Sequence, residues 1–270
     1  MKADLRVALV GNPNTGKSTL FNVLTGLNQK IGNFPGVTVD KKTGFCDLPD
    51  GRRAEIVDLP GTYSLYPKSR DESIVFSVLA DRDSELTPER IVVRLDATNL
   101  KRNLLFCSQV IDLKYPVVIA LTMMDLARKK GIEIDVAGLS TELGVPVVPV
   151  NPRKNKGILQ LKKALALTAK QNQAITQRDF INNHQLAPNA VDTVKNIFPG
   201  ISDYSGIHHL INHENFPFPD TIQQLIEQAE IDNNFNPAKT QAEEIVQRYS
   251  RINQVMQQNV VAIRVKLLVQ

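Results

Sequence analysis

Residues 11–18 read Gly11-Asn12-Pro13-Asn14-Thr15-Gly16-Lys17-Ser18. This run fits the pattern G-x-x-x-x-G-K-S/T and lies between an apolar strand pattern, Leu5–Val10, and a helical pattern that begins near Ser18. In such a loop the backbone N–H groups and the helix N-terminus point at phosphate oxygens. Lys17 adds a positive charge there, and the Ser18 hydroxyl is a ligand for Mg²⁺. We therefore predict a phosphate-binding loop over residues 11–18, with Thr19 beside it.

Around this loop, short apolar runs alternate with amphipathic stretches of helix length. The apolar runs are Leu5–Val10, Ala54–Val57, Ile91–Leu95, Val117–Leu121 and Val145–Val150. Such alternation predicts an α/β fold with a doubly wound, mainly parallel sheet. Together with the phosphate loop it predicts a Ras-like P-loop GTPase domain, which binds GTP or GDP, over residues 1–168.

The composition changes after about residue 168, where Asn and Gln replace Lys and Val. All four histidines lie in this part, and we interpret them as surface or packing residues and not as metal ligands. Helices are predicted over Pro219–Ile231 and Pro237–Val260, and no strand is expected. The second helix has one apolar face, formed by Ile245, Tyr249, Ile252 and Met256. We predict a small all-helical domain over residues 172–260 and a tail over residues 261–270.

Composition limits the class of protein. Of the 270 residues 42% are hydrophobic and 22% are charged, which is ordinary for a soluble globular protein. Cys46 and Cys107 lie far apart in a chain without a signal-peptide pattern, so we expect a reducing cytosolic setting and no disulfide. No run is apolar for the roughly 18 residues that a membrane helix needs. The net charge of +4 is scattered, so we expect no nucleic-acid partner.

A second motif, Asp58-Leu59-Pro60-Gly61, closes the strand pattern that begins at Ala54. In this D-x-x-G arrangement the carboxylate orients the ligands of Mg²⁺, and the glycine N–H meets the γ-phosphate. Between the two motifs lies Gly36-Val37-Thr38, where a switch threonine closes onto Mg²⁺ and the γ-phosphate. We predict that Mg²⁺ is held by Ser18, Thr38 and Asp58.

The base is predicted to lie against Thr122-Met123-Met124-Asp125, at the position of the guanine-binding pattern N-K-x-D. Asp125 can accept from the N1–H and the amine of guanine, a donor pair that adenine lacks. Thr122 replaces the usual Asn and Met123 the usual Lys, so paired hydrogen bonds to the base are lost. Further along, Asn151-Pro152-Arg153 stands where many GTPases have Ser-Ala, and Pro152 has no N–H to offer.

These departures predict guanine selectivity with weak binding and fast GDP release. Each lost contact weakens binding by about 0.5 to 1.5 kcal/mol. Two such losses raise the Kd for nucleotide by about one to two decades.

The group that activates water is also unusual. The residue after Gly61 is Thr62, where regulatory GTPases have a water-positioning Gln. Asn14 could coordinate a monovalent cation beside the phosphates, and it could equally be a turn residue. Asp71 and Glu72 are candidate water-orienting carboxylates, which we expect instead to be solvated side chains.

Four motifs in register resemble the cytosolic, N-terminal region of the FeoB family, the prokaryotic ferrous iron transport proteins. They are G-N-P-N-T-G-K-S-T-L-F-N from Gly11, N-F-P-G-V-T-V from Asn33, D-L-P-G-T-Y-S-L from Asp58 and D-A-T-N-L from Asp96. The resemblance covers about residues 5–165, and the helical segment is similar to the family's spacer, which is described as a dissociation inhibitor-like domain. The chain departs from the family at Thr122, usually Asn, and at Asn151-Pro152, usually Ser-Ala.

This resemblance implies a slow, K⁺-stimulated and Mg²⁺-dependent GTPase, in which Asn14 is the K⁺ ligand and Lys17, Asn14, Thr38 and Gly61 serve hydrolysis. It implies a place on the cytoplasmic face of the bacterial inner membrane. Residues 261–270 would lead to a transmembrane iron-permeation domain outside this chain, whose Fe²⁺ uptake follows the nucleotide state. A small cytosolic iron-transport accessory protein and a second copy of the chain, in a homo-oligomer, are further candidate partners.

Two alternative functions stay open. A nucleotide-gated interaction module would bind nucleotide with negligible turnover, and phosphate release with and without K⁺ separates it from an enzyme. A ribosome-assembly-type GTPase would need a basic RNA-binding appendage, whereas residues 171–270 are net acidic.

Overall fold

The computed structural model describes residues 5–27, 29–34, 39–80, 86–167 and 178–262. The strands in these ranges are β1 (Leu5–Gly11), β2 (Gln29–Asn33), β3 (Asp40–Asp47), β4 (Arg53–Asp58), β5 (Arg90–Asp96), β6 (Val117–Thr122), β7 (Ile132–Ile134), β8 (Val147–Pro149) and β9 (Val260–Ala262). Within the same ranges, seven strands form one sheet in the order β2-β3-β4-β1-β5-β6-β8, and β7 pairs with β9. Because β1 is the central strand, its last residue, Gly11, lies midway along the sheet edge that carries the carboxyl ends of the parallel strands.

The predicted α/β class with a mainly parallel sheet is confirmed. Strands β4, β1, β5, β6 and β8 are parallel, and helices connect them across both faces. Strands β2 and β3 extend one edge in the antiparallel direction, and the sequence prediction missed both. Strand β2 is exposed along its whole length and β3 is rich in Lys and Asp. Neither therefore has the apolar pattern that marked the other strands.

The helices in the described ranges are α1 (Lys17–Thr25), α2 (Arg70–Ala80), α3 (Leu100–Asp112), α4 (Met124–Lys129), α5 (Val136–Leu143), α6 (Ile158–Ala166), α7 (Pro188–Ile197), α8 (Asp203–Asn212), α9 (Asp220–Asp232) and α10 (Pro237–Asn259). Helices α1 and α6 cover one face of the large sheet, and α2, α3 and α5 cover the other. Side chains of β5 alternate between these faces, so Val92 contacts the α1 side and Val93 the α3 side.

The two helices predicted in the second half of the chain are present as α9 and α10, each within one residue of its predicted bounds. Asn236 caps α10 by accepting a hydrogen bond from the N–H of Lys239, and Pro237 stands in the first turn, where its missing N–H leaves no intrahelical bond unmade. The predicted apolar face of α10 is confirmed, because Ile252 is buried in the main core and Tyr249 packs partly against it.

The expectation of no strand after residue 168 is wrong. Strand β9 pairs in antiparallel register with β7 of the α/β part, and its partner lies more than a hundred residues earlier, where a local pattern cannot reveal it. Helix α10 also packs on α3 and α5. The predicted boundary between residues 168 and 172 lies outside the described residues, as do residues 263–270 of the tail, so the division into domains stays a prediction.

A buried ion network joins α10 to α3. The guanidinium of Arg248 lies 2.9 Å from Asp112 and 2.6 Å from Glu244, and all three side chains are fully buried. Its Nη2 also donates to the side-chain oxygen of Asn183. None of the described helices is both long enough and apolar enough to span a membrane.

Candidate nucleotide site

The phosphate loop forms where the sequence predicts it, between the end of β1 and the start of α1. Gly16 precedes α1 with φ +82° and Asn14 has φ +57°, so both lie in the left-handed region. A Cβ on Gly11 would lie 2.7 Å from the carbonyl oxygen of Arg94 on β5. Inside the loop, the Thr15 hydroxyl donates to the carbonyl of Asn12 at 2.7 Å. These contacts hold the loop in a tight turn.

The D-x-x-G segment lies directly against this loop. The N–H of Thr62 donates to the carbonyl of Gly11 at 3.3 Å. A Cβ on Gly61 would lie 2.7 Å from Cα and 2.9 Å from N of Pro13, so this approach is open only to glycine. Within the D-x-x-G segment, Leu59 is buried and Pro60 is half-buried. The two predicted phosphate motifs therefore form one site.

Asp58 and Lys17 form an ion pair in this site, with Lys17 Nζ 3.2 Å from Asp58 Oδ1. Burial raises the pKa of the Asp58 carboxyl, and the Lys17 ammonium opposes that rise. The buried Asp58 carboxylate pairs with Lys17, whose neighbour in the chain is the exposed Ser18. A carboxylate and a hydroxyl are oxygen donors of the kind that Mg²⁺ prefers. Asn12 is also buried, and neither of its side-chain polar atoms has a hydrogen-bond partner among the described residues. The site thus keeps unused polar groups next to the phosphate loop.

The predicted switch residues Gly36, Val37 and Thr38 lie outside the described residues. The residues on either side of that gap approach each other, because the N–H of Phe34 donates to the carbonyl of Val39 at 3.0 Å. Thr19, on the first turn of α1, is exposed.

The segment predicted to bind the base, residues 122–125, begins at the end of β6 and runs into α4. The Thr122 hydroxyl is buried and donates to the carbonyl of Leu95 at 2.9 Å, so it is not free for a base. Met123 is half-buried with φ +60°. The Asp125 carboxylate is exposed and accepts from the N–H of Leu126 at 3.0 Å.

Asn151, Pro152 and Arg153 lie beside Asp125. The side-chain amide of Asn151 is 3.4 Å from the second carboxylate oxygen of Asp125, and its own oxygen accepts from the N–H of Lys154 at 3.2 Å. Pro152 begins a short 3₁₀ turn over Pro152–Lys154, and Arg153 is exposed. The structure therefore brings the two base segments together, and the position of Pro152 has no N–H for a base oxygen.

Thr62, in the place of a water-positioning Gln, uses its hydroxyl within its own segment of the chain. It is fully buried, and its hydroxyl lies 2.8 Å from the carbonyl of Ser64 and 3.2 Å from Glu72. Glu72 also accepts from the N–H of Lys68 at 2.8 Å. The expectation that Glu72 is simply solvated is therefore wrong, because it closes the loop after Gly61 into a hydrogen-bonded turn.

Sequence reasoning missed two residues of the site. Gln109 on α3 accepts from the N–H of Leu65 at 2.9 Å and so holds the loop that follows the D-x-x-G motif. Arg94 lies under the phosphate loop, with Nη2 3.4 Å from the position of a Cβ on Gly16. The signal for Arg94 was present in the sequence, since it is the one charged residue between Ile91 and Leu95 in an apolar run.

Comparison with known proteins gives one consistent family. The family model for ferrous iron transport protein B matches residues 5–165. The Fe(2+) transporter FeoB of Leptospira biflexa is 48% identical over 160 residues, which are 59% of this chain and 23% of that protein. FeoB of Salmonella typhimurium is 44% identical over 165 residues, 60% of this chain and 21% of that protein. The matched region thus spans about a quarter or less of the length of these relatives.

Solved structures agree over nearly the whole chain. A GDP-bound point mutant of the S. thermophilus FeoB G-domain is 31% identical with a TM-score of 0.74, covering 95% of this chain and 100% of that one. The cytosolic domain of L. pneumophila FeoB is 30% identical with a TM-score of 0.74, covering 95% and 99%. The chain therefore belongs to the FeoB family of ferrous iron transport proteins, and its α/β part is the family's G-domain.

Proposed function

We propose that this chain binds guanine nucleotide and hydrolyses GTP slowly to GDP and phosphate. The observation that carries the proposal is the contact of Gly61 with Pro13, which places the D-x-x-G segment on the phosphate loop. The similar S. thermophilus G-domain was solved with GDP bound, which supports a nucleotide in the same place here.

The phosphate end supplies the binding groups. In this proposal the loop N–H groups and Lys17 hold the phosphates, while Ser18, Asp58 and the predicted Thr38 hold Mg²⁺. The metal ion, when bound, neutralises charge on the phosphate oxygens. Lys17 must leave Asp58 to reach the phosphates, so nucleotide binding exchanges one ionic partner for another. Asn14 is the proposed K⁺ ligand, since its exposed, left-handed position keeps its side chain at the loop surface.

Hydrolysis is expected to be slow because of the residue after Gly61. The Thr62 hydroxyl is engaged by Ser64 and Glu72, and thus cannot orient a water molecule in this arrangement. The same observation favours the alternative of a nucleotide-gated interaction module with negligible turnover. In that case nucleotide binding alone would change the loop that Glu72 and Gln109 hold.

Phosphate release separates the two. Turnover of GTP by the 270-residue chain would be measured in equal concentrations of KCl and NaCl, for the wild type and for Asn14→Ala. Faster release in KCl that Asn14→Ala removes supports the K⁺-stimulated GTPase. GDP binding without any release in either salt would support the module instead.

For the intact protein we propose that this region lies on the cytoplasmic face of the bacterial inner membrane and couples nucleotide state to Fe²⁺ uptake. The proposed partner is the transmembrane iron-permeation domain of the same protein, since the curated relatives are named Fe(2+) transporters and are much longer than this chain. A small cytosolic accessory protein and homo-oligomers are secondary proposals. Loss of iron uptake by a full-length Lys17→Ala protein that still reaches the membrane would support this coupling, and normal uptake would contradict it.

A further inference from the structure

Arg94 lies at the C-terminal end of β5, between the central strand and β6. Its backbone is in register with Gly11 on one side and Ala120 on the other. Val92, two residues earlier, belongs to the core under α1 and α6, and the side chain of Arg94 follows on the same face. There its guanidinium meets the phosphate loop from below: Nη2 is 3.4 Å and Cζ 3.8 Å from the position of a Cβ on Gly16.

The guanidinium of Arg94 is buried without a full set of partners. The residue is only 2% exposed, and its Nε and Nη1 have no hydrogen-bond acceptor among the described residues. Within the same residues it forms no ion pair. Arg248 offers a contrast, because that equally buried guanidinium is paired with Asp112 and Glu244. The fold can therefore satisfy a buried arginine where the role is structural, and it has not done so beneath the phosphate loop.

Arg94 stays charged at neutral pH. Burial lowers its pKa to about 10, and Asp96, further along the same face, opposes that change. A buried cation without a partner destabilises a fold, so its presence calls for an anion that is bound only part of the time. The residue that it approaches, Gly16, belongs to the predicted phosphate loop.

We propose that Arg94 is a positioning residue and a second cation of the phosphate site, which acts through the phosphate loop from beneath. This rests on the proposed nucleotide-binding function. Its charge stabilises the bound diphosphate and supplies affinity that the base end lacks. In the N-K-x-D pattern a lysine would stand at Met123. Arg94 lies on the strand next to β6 and would serve the phosphates instead of the base.

Three variants of the 270-residue chain test this with GDP titrations in Mg²⁺. Arg94→Met keeps the length and apolar stem but removes the charge, and we expect GDP affinity to fall about 10- to 100-fold, as for loss of one partly buried charge near a diphosphate. Arg94→Lys keeps the charge and should stay within about 3-fold of wild type. Arg90→Met is the matched control: Arg90 is buried on the same face of β5, about 13 Å away, and bonds the carbonyl of Leu165. It should leave GDP affinity unchanged.

Thermal unfolding without nucleotide gives the second readout. Arg94→Met should unfold at the same temperature as wild type or higher, because an unpaired buried charge has been removed. A lower unfolding temperature would make Arg94 a packing residue and overturn the proposal. So would unchanged GDP affinity in Arg94→Met, or an Arg94→Lys variant as weak as Arg94→Met. If wild type itself fails to bind GDP, the proposed function fails, whichever way the variants behave.

Discussion

Single residues differ in what they offer to the two ends of the proposed nucleotide site, the phosphate end and the base end. At the phosphate end the backbone of Gly61 touches Pro13 and Lys17 contacts Asp58. At the base end Thr122 gives its hydroxyl to Leu95, and Pro152 has no N–H. In the proposed function the nucleotide is therefore bound mainly through its phosphates, and Asp125 is the proposed guanine-selecting residue.

A Thr122→Asn variant tests the weakness of the base end. The carboxamide restores paired hydrogen bonds, so the Kd for GDP should fall about 5- to 10-fold, equivalent to about 1 kcal/mol. Isothermal titration in Mg²⁺ measures it, with Thr141→Asn on the exposed side of α5 as control. Unchanged or weaker binding would show that Thr122 does not limit affinity.

A Gly61→Ala variant tests the close approach of the two phosphate motifs. Its Cβ would lie 2.7 Å from the backbone of Pro13, so the loop must move and the free energy of unfolding should fall by about 1 to 3 kcal/mol. GDP affinity should fall with it. Gly32→Ala is the control, because a Cβ there meets nothing within 4 Å. Equal stability of the two variants in urea would contradict the account.

Among the helices, strands and loops, those with a local sequence pattern could be predicted from the sequence. The phosphate loop follows from an apolar strand that ends at a glycine, and α10 follows from Asn236, Pro237 and a regular apolar face. Strands β2 and β9 could not be predicted in the same way. The first is an exposed edge strand stabilised by its pairing with β3, and the second pairs with a strand distant in sequence. Thr62 and Glu72 were in the right segment, but their mutual hydrogen bond needed the folded loop.

Helix α8 packs against the loop that follows the D-x-x-G motif. The ring of His208 lies 5.0 Å from that of Tyr66 and 4.6 Å from that of Tyr204. Burial lowers the pKa of His208 to about 3, with smaller contributions from His209 and Arg248. Burial likewise lowers the pKa of His209 to about 4. Both imidazoles are therefore neutral in the folded protein above these values.

The lowered pKa values of His208 and His209 predict that the fold loses stability in acid. Unfolded histidines take up protons below about pH 6.5 while the folded ones do not, so stability is full above that pH and is lost as the pH falls towards the folded values. His208→Phe should reduce the slope between pH 6 and 4 by up to about 1.4 kcal/mol per pH unit. The Nε2 of His208 has no partner among the described residues, but the substitution also removes the 3.1 Å contact between its Nδ1 and the side-chain amide of Asn212. Urea unfolding at several pH values measures the slope, and an unchanged slope contradicts the assignment. The control is His184→Gln, whose side chain is partly exposed and contacts Asp192.

On the scale of the whole molecule, the helical segment is tied to the α/β part by a buried charge network and by the pairing of β9 with β7. The composition suggested two parts, and these contacts join them. Neither tie was visible in the sequence. The network consists of charged residues, Arg248, Glu244 and Asp112, on helices whose sequences are amphipathic. They become buried only because α10 packs on α3.

Arg248→Met should destabilise the molecule by about 3 to 5 kcal/mol, because it leaves the buried carboxylates of Asp112 and Glu244 without their cation. Arg251→Met, three residues later, breaks a partly exposed pair with Glu142 and should lower stability by less than about 1 kcal/mol. Urea unfolding of both variants compares them. Similar losses would mean that the network does not hold the two parts together.

We propose that this G-domain binds guanine nucleotide chiefly through its phosphates. Parallel titrations with GDP and ADP in Mg²⁺, for wild type and Lys17→Ala, measure this. We predict that wild type binds GDP with a Kd above about 1 μM, that ADP binds more weakly, and that Lys17→Ala abolishes GDP binding. Equal affinity for GDP and ADP, sub-micromolar GDP binding, or GDP binding that survives Lys17→Ala would contradict the account.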